Sequence, residues 1–208
     1  MTATFAYVGR SIDAAFDLVT RNQRAWDKFD LTVEGFFRSF WALPLVWPMN
    51  IITDIIANNL SDAERLKDGK AALNPVYGYG EALFSTATLS IQWMVFPLVM
   101  ILVLRFLNLS HRYSALIIAH NWGTIVIYLF NLPAFLLFQA GLISSGLAID
   151  LNLIALIFTL YYRFYTAQTA LNAGMSVAAS IAMLGFVLQI YFAVGVAYTA
   201  GLWLPSAS

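Results

Sequence analysis

Between about Phe36 and Tyr198 the chain carries five apolar stretches, each of roughly 20 residues or more and each followed by a polar connection. A helix that is apolar on every face needs an apolar surround, and one soluble core cannot hide five of them. Charged residues make up 11% of the chain, where a soluble domain carries about a quarter. The expected fold is all-α: a polytopic membrane protein of five transmembrane helices preceded by an amphipathic N-terminal helix. The spans are placed near 36–57, 83–107, 113–138, 143–162 and 173–198. Residues 1–30 form a cytosolic helix and linker, and 31–208 the transmembrane domain.

The same composition excludes several kinds of chemistry. A formal net charge of zero provides no field for nucleic acid or acidic substrates. The absence of cysteine excludes disulfides, thiolate metal sites, iron–sulfur clusters and cysteine nucleophiles. The histidines are His111 and His120, too few for a His-rich metal site and too close on one helix to ligate a haem from two sides. No G-x-S-x-G, H-E-x-x-H, P-loop or dinucleotide fingerprint occurs. The expectation is therefore no enzyme, no catalytic residue and no cofactor. Residues 1–30 mix charge with hydrophobe and lack the layout of a secretory signal, so the mature protein is expected to keep them.

In residues 4–25, Phe5, Val8, Ile12, Phe16 and Val19 recur at three- and four-residue steps, with Arg10, Asp13, Asp17, Arg21 and Arg24 opposite. Such a helix either lies in the membrane interface or packs on protein, its own cytosolic face or a partner. In the first span, Pro44 and Pro48 displace the carbonyls of Phe40 and Pro44 and predict a bend or break. Ser61 and Glu64 have capping-box spacing and predict a short new helix in the loop 58–82, followed by turns at Asn74-Pro75 and Gly78-Tyr79-Gly80. The run Tyr161 to Tyr165 predicts a membrane boundary at the end of the fourth span. Basic residues gather on the N-terminal side of this arrangement. The positive-inside rule then puts the N-terminus in the cytosol and the C-terminus across the membrane.

Polar groups within apolar spans are the candidate site. Asp150 and Asn152 lie in the fourth span, with Asn131, Gln92 and Gln189 at mid-depth or in the outer halves of others. Together they form a possible polar membrane site for a cation or a proton. Asp150 has two other readings, the cap of a helix starting near Ile149 or a buried hydrogen bond. Ser85, Thr88 and Gln92 share one side of the second span, and His120 or Asn121 is expected to make an interhelical hydrogen bond. Gly174, Ala178 and Ala182 form a small-residue ridge, continued at Ala193, Ala197 and Gly201, that packs within the bundle or against a second protein. Arg38, Arg105 and Arg163 fall at the predicted cytosolic boundary, where they should face lipid phosphates.

The stretch from Phe29 to Trp41, together with Arg112-Tyr113 and Ala119-His120-Asn121-Trp122, resembles the first and third spans of a group of uncharacterised bacterial inner-membrane proteins. In topology the chain is similar to Yip1-type proteins, which have a cytosolic N-terminal segment and five spans. The motifs of the eukaryotic Yip1 branch are not present, and neither resemblance implies a catalytic residue. These features lead to an expected role as an accessory or scaffold subunit. Its partners would be membrane lipid and either another integral membrane protein or further copies of itself, without nucleic acid. The alternatives are a small transporter or channel using the groups near Asp150, and a lipid-interacting, membrane-shaping protein.

Overall fold

A computed structural model describes residues 2–22, 24–72 and 77–203, and of 2–4, 193 and 196–203 only the backbone. The chain is all-α: α1 (Thr2–Val19), α2 (Ala25–Lys28), α3 (Val33–Ser39), α4 (Ala42–Lys67), α5 (Tyr79–Phe106), α6 (Tyr113–Gln139), α7 (Ser145–Leu171) and α8 (Met175–Trp203). Five helical segments are long and apolar enough to cross a membrane, the first being α3 and α4 together. Asn74-Pro75 lies outside the described residues.

The break in the first span comes at Phe40 and Trp41, between α3 and α4. Phe40 is the residue whose carbonyl Pro44 displaces, so the proline sits in the first turn of α4, where its missing donor costs nothing. Pro48 is absorbed inside α4. The helix then runs past Ser61 without interruption to Lys67, so the predicted capping box is not used. No glycine or proline lies between Ala57 and Lys67 to stop it. Glu81 is the residue that caps, accepting from the Gly78 amide at 3.0 Å where α5 begins. The fourth span also overruns its expected end. It passes through Tyr161–Tyr165 and stops at Leu171, where Asn172 takes up a left-handed φ of 49°. Its start is capped by Ser144, which accepts from the Leu147 amide at 3.3 Å.

α6 is the central helix, buried on nearly every side from Ala115 to Ile127. Its mid-section is the nearest thing here to a helix apolar all round, as a bundle's centre requires. Its exceptions are His120, Thr124 and, at the junction of three helices, Asn121. Fully buried, it accepts from Trp93 Nε1 at 2.8 Å and donates to Ser39 Oγ at 2.9 Å, joining α5, α6 and α3. Trp122, Tyr162 and Met100 are the bulkiest of the other fully buried side chains on these spans. The opposite faces of α5 and α8 expose Leu98, Leu102, Ile190 and Val194, the surface a bilayer covers.

α1 packs on the bundle with a face that only partly overlaps its apolar stripe, whose Val8, Ile12 and Val19 flank it half-buried. Its buried residues are Tyr7, Ser11, Ala14, Ala15 and Leu18, about 100° around the helix from the stripe. Phe5 and Phe16 remain exposed, at 76% and 43%. Polar contacts seat the helix: Tyr7 donates to the Gly35 carbonyl at 3.1 Å, and Tyr162 to the Ala15 carbonyl at 3.0 Å. Lys28 reaches back to Asp13 and Asp17, each at 2.6 Å, and these hydrogen bonds, Asp13's first, hold its ammonium above its ordinary pKa. Asp30 accepts from the Thr32 hydroxyl at 2.6 Å and amide at 3.1 Å, which holds its carboxyl below the usual range and fixes the turn into α3.

The ridge of α8 faces inward. Ala178 is fully buried against α5 and α7, and Ala182 nearly so. Gly174 precedes the helix and is exposed, so the ridge proper begins at Ala178. At Gly185 a Cβ would meet the Phe96 ring at 3.3 Å, which brings α8 close to α5 at that level. Ala193, Ala197 and Gly201 have side-chain positions outside the described residues.

Candidate functional site

The five spans enclose a cavity of about 520 Å³. Every span contributes polar side chains to it. α4 provides Asn50 and Asp54, and α5 provides Ser85, Thr88 and Gln92. α6 presents His120, Thr124, Tyr128 and Asn131 at steps of three and four residues, one stripe of a helix. α7 presents Thr159, Arg163 and Thr166 in the same way, and α8 adds Gln189. Trp93, Phe96, Phe135, Phe186 and Phe192 complete the wall.

The half of the cavity nearer α1 is organised around Arg163. Its Nη1 lies 2.7 Å from His120 Nδ1 and 3.1 Å from the His120 carbonyl, and its Nη2 lies 2.8 Å from Thr124 Oγ1. A guanidinium only donates, so Nδ1 must accept, and the imidazole is neutral with its proton on Nε2. Phe96 stacks on that ring with centroids 3.9 Å apart and planes 11° from parallel. The arrangement fixes Arg163 without neutralising it. The ion pairs among the described residues lie elsewhere, and none includes Arg163.

The far half is organised around Asn50 and Asp54. Asn50 Nδ2 donates to Thr86 Oγ1 at 3.0 Å and approaches Asp54 Oδ2 at 3.4 Å, while Tyr128 donates to Asn50 Oδ1 at 2.7 Å. Thr86 passes its own proton to the Ala82 carbonyl at 2.8 Å. Asp54 has Ser85 as a further neighbour and no cation partner among the described residues. Along α6 the two clusters are roughly 6–12 Å apart, the rise from Thr124 or His120 to Tyr128. A guanidinium and a carboxyl group thus share one cavity without touching. Each is a costly group in the low-dielectric core of a membrane unless water or a ligand reaches it.

The candidates from the sequence divide between cavity and surface. Gln92, Asn131 and Gln189 line the cavity. Asn131 turns its amide back to the Ile127 carbonyl at 2.7 Å, whereas the amides of Gln92 and Gln189 bond to no described residue. Asp150 and Asn152 are not in the cavity wall. Asp150 is exposed early in α7, and because Ser144 caps that helix it is neither the cap nor a buried group. Asn152 bonds to the Ala148 carbonyl one turn back, at 2.8 Å. Arg38 is exposed, pairs with Glu34 and lies over the Tyr7 ring at 5.6 Å, and Arg105 is exposed in the last turn of α5. Arg163 departs from the interfacial expectation by turning inward. The helix continues past the aromatic run, which puts the residue two turns inside α7 rather than at its end.

Sequence reasoning thus missed Arg163, Asn50, Thr86 and Tyr128 as site residues. The steps Thr159–Arg163–Thr166 and His120–Thr124–Tyr128–Asn131 were the available signal, polar stripes on otherwise apolar helices. Among the described residues no group of three or more His, Cys, Asp or Glu side chains converges as metal ligands would. No family model matches the chain, and no curated protein or solved structure is significantly similar to it.

Proposed function

We propose that this protein is a small membrane carrier, which binds a polar solute between its five spans and passes it across the bilayer. The observation that carries this reading is the cavity, into which every span turns polar side chains and where Arg163 and Asp54 stand without counter-ions among the described residues. Ionisable groups inside a membrane by default mark a binding site or a pathway. The volume, about 520 Å³, falls in the range of small-molecule sites, roughly 300–1,000 Å³. Solute sites near the midplane, built from several helices, are the usual arrangement in carriers.

The expected role as an accessory subunit drew on the α8 ridge, and Ala178 and Ala182 are spent on the bundle's own packing. A lipid-interacting role remains a second reading, favoured by Phe5 and Phe16 on the outer side of α1. For orientation, Arg10, Arg21, Arg24, Lys28, Arg38, Arg105 and Arg112 at one end, against Arg65, Lys67 and Lys70 at the other, support a cytosolic N-terminus in a bacterial inner membrane.

The test is selective release from proteoliposomes. Vesicles loaded with a mixture of amino acids, short organic acids and inorganic phosphate are sampled over time by mass spectrometry. The carrier reading expects one chemical class to leave faster than from protein-free vesicles. Asp54→Asn, which removes the charge and keeps the shape, should slow that release about tenfold or more, the scale of one charged hydrogen bond. Equal retention of every class in both preparations would sink it.

A further inference from the structure

The bonding of Arg163 specifies what the cavity can hold. A guanidinium has five N–H groups. Nη1 spends both of its own on His120, at Nδ1 and at the carbonyl, and Nη2 spends one on Thr124. The Nε–H and one Nη2–H remain. His120 and Thr124 stand one turn apart on the same face of α6, so both lie on the Nη1 side of the fork and the two free donors share the opposite edge. Two parallel N–H groups on one edge of a guanidinium match the two oxygens of a carboxylate or phosphate. No carboxylate among the described residues takes that place.

The surroundings favour the same kind of ligand. His120 is held neutral by its own bond to Arg163, so it adds no competing charge and serves to orient the fork. Phe96, stacked on His120, covers the imidazole on one face. Asp54 lines the far end of the cavity and Arg163 the near one, so an anion is drawn to the guanidinium end. Beyond Ile181, which lines the cavity, a second and mainly apolar hollow of about 490 Å³ lies between α5 and α8. It is walled by Leu102, Val103, Leu107 and Leu184 and opens on the outer surface, where Leu102 is exposed.

We propose that the cavity binds an oxyanion, a carboxylate or a phosphate, bidentately on the free Nε/Nη2 edge of Arg163. The proposal rests on the reading of the cavity as a solute site and adds the chemical class. The anion comes either from a free solute or from the head of an amphiphile, and one experiment separates the two.

The purified protein in a neutral maltoside detergent is titrated calorimetrically with inorganic phosphate, butyrate, dodecyl phosphate and, as the uncharged control, dodecanol. Saturable binding of at least one of the three anions is expected. Binding of phosphate or butyrate marks a free solute, and binding of dodecyl phosphate alone marks an amphiphile head. Arg163→Gln should weaken the anion about tenfold or more. Arg163→Lys, which keeps the charge but loses the fork, should fall between and guards against a simple loss of folding. Dodecanol should bind wild type and both variants alike. The proposal is overturned if an anion binds Arg163→Gln as tightly as wild type. It is also overturned if dodecanol binds and no anion does, an outcome that leaves a solute cavity without the anion. Binding of none of the four would overturn both the proposal and the reading of the cavity beneath it.

Discussion

Replacing Gly123 with leucine should release the N-terminal helix from the bundle. Gly123 lies on α6 where a Cβ would fall 2.6 Å from Cε1 of the Tyr162 ring and 2.8 Å from its hydroxyl oxygen. No backbone adjustment of two well-packed central helices can admit that contact, so the ring must leave. Tyr162 is buried, and its hydroxyl is the donor that holds the Ala15 carbonyl of α1. Overpacking of this kind costs about 1–3 kcal/mol. Here the loss should concentrate on α1, which the bundle holds through few polar contacts. Trypsin reads it out, because α1 and the turn after it carry Arg10, Arg21 and Arg24. Cleavage there should be several-fold faster in the variant, with the transmembrane core still intact, and cleavage at the wild-type rate would contradict the packing described. Gly123→Ala tests the same contact with the smallest possible group and should give the same direction of change.

Asn121→Leu should destabilise the bundle as a whole. A single interhelical hydrogen bond in a membrane protein averages about 0.6 kcal/mol, because alternative partners exist in the unfolded state. Asn121 makes two such bonds, at 2.8 and 2.9 Å, and its removal strands the buried indole N–H of Trp93. An unsatisfied buried donor costs about 1–3 kcal/mol, so a loss of about 2 kcal/mol is expected. Asn131→Leu is the matched control. Its amide bonds only the Ile127 carbonyl of its own helix, and that carbonyl is already placed in the helical ladder. Thermal unfolding in detergent should separate the two variants clearly, and equal midpoints would mean that Asn121 does not join the helices.

The sequence made the five spans plain, because a 20-residue apolar run has few other uses. It also named Phe40 as one of two places for a bend or break, since Pro44 acts on a defined carbonyl, while the second, at Pro44, was absorbed within α4. The two errors in helix length have one cause. Ser61 and the aromatic run at Tyr161 are signals of an end, but an end also requires that something stop the helix. Neither place offers a proline, a glycine or a left-handed residue before Asp68 and Asn172. The second error hid the site. With α7 closed at Tyr162, Arg163 read as an anchor in the headgroups; with α7 continued to Leu171, the same residue turns into the bundle. Asp150 misled in the opposite sense, because depth along a span does not reveal which side of the helix a residue occupies. What identifies the wall of the cavity is the angular agreement of polar residues on neighbouring helices, and a single helix read alone does not contain that agreement. The packed face of α1 was illegible for a similar reason: alanine and serine at Ser11, Ala14 and Ala15 permit close approach, while the larger residues of the stripe dominate the hydrophobic pattern.

Water and small ions should reach the cavity inside the bundle. The chain contains no cysteine, so any cysteine introduced is the sole target for a thiol reagent. Single cysteines at Thr88, Gln92 and Thr159 on the cavity wall are compared with others at Ile91, Leu98 and Ile157 on the outward faces of the same helices. Intact membranes are treated with a negatively charged methanethiosulfonate, which does not cross lipid. The cavity positions should react and the outward ones stay unmodified. Cavity positions as inert as the lipid-facing ones would contradict that expectation, and would leave Arg163 and Asp54 as structural groups in a closed interior.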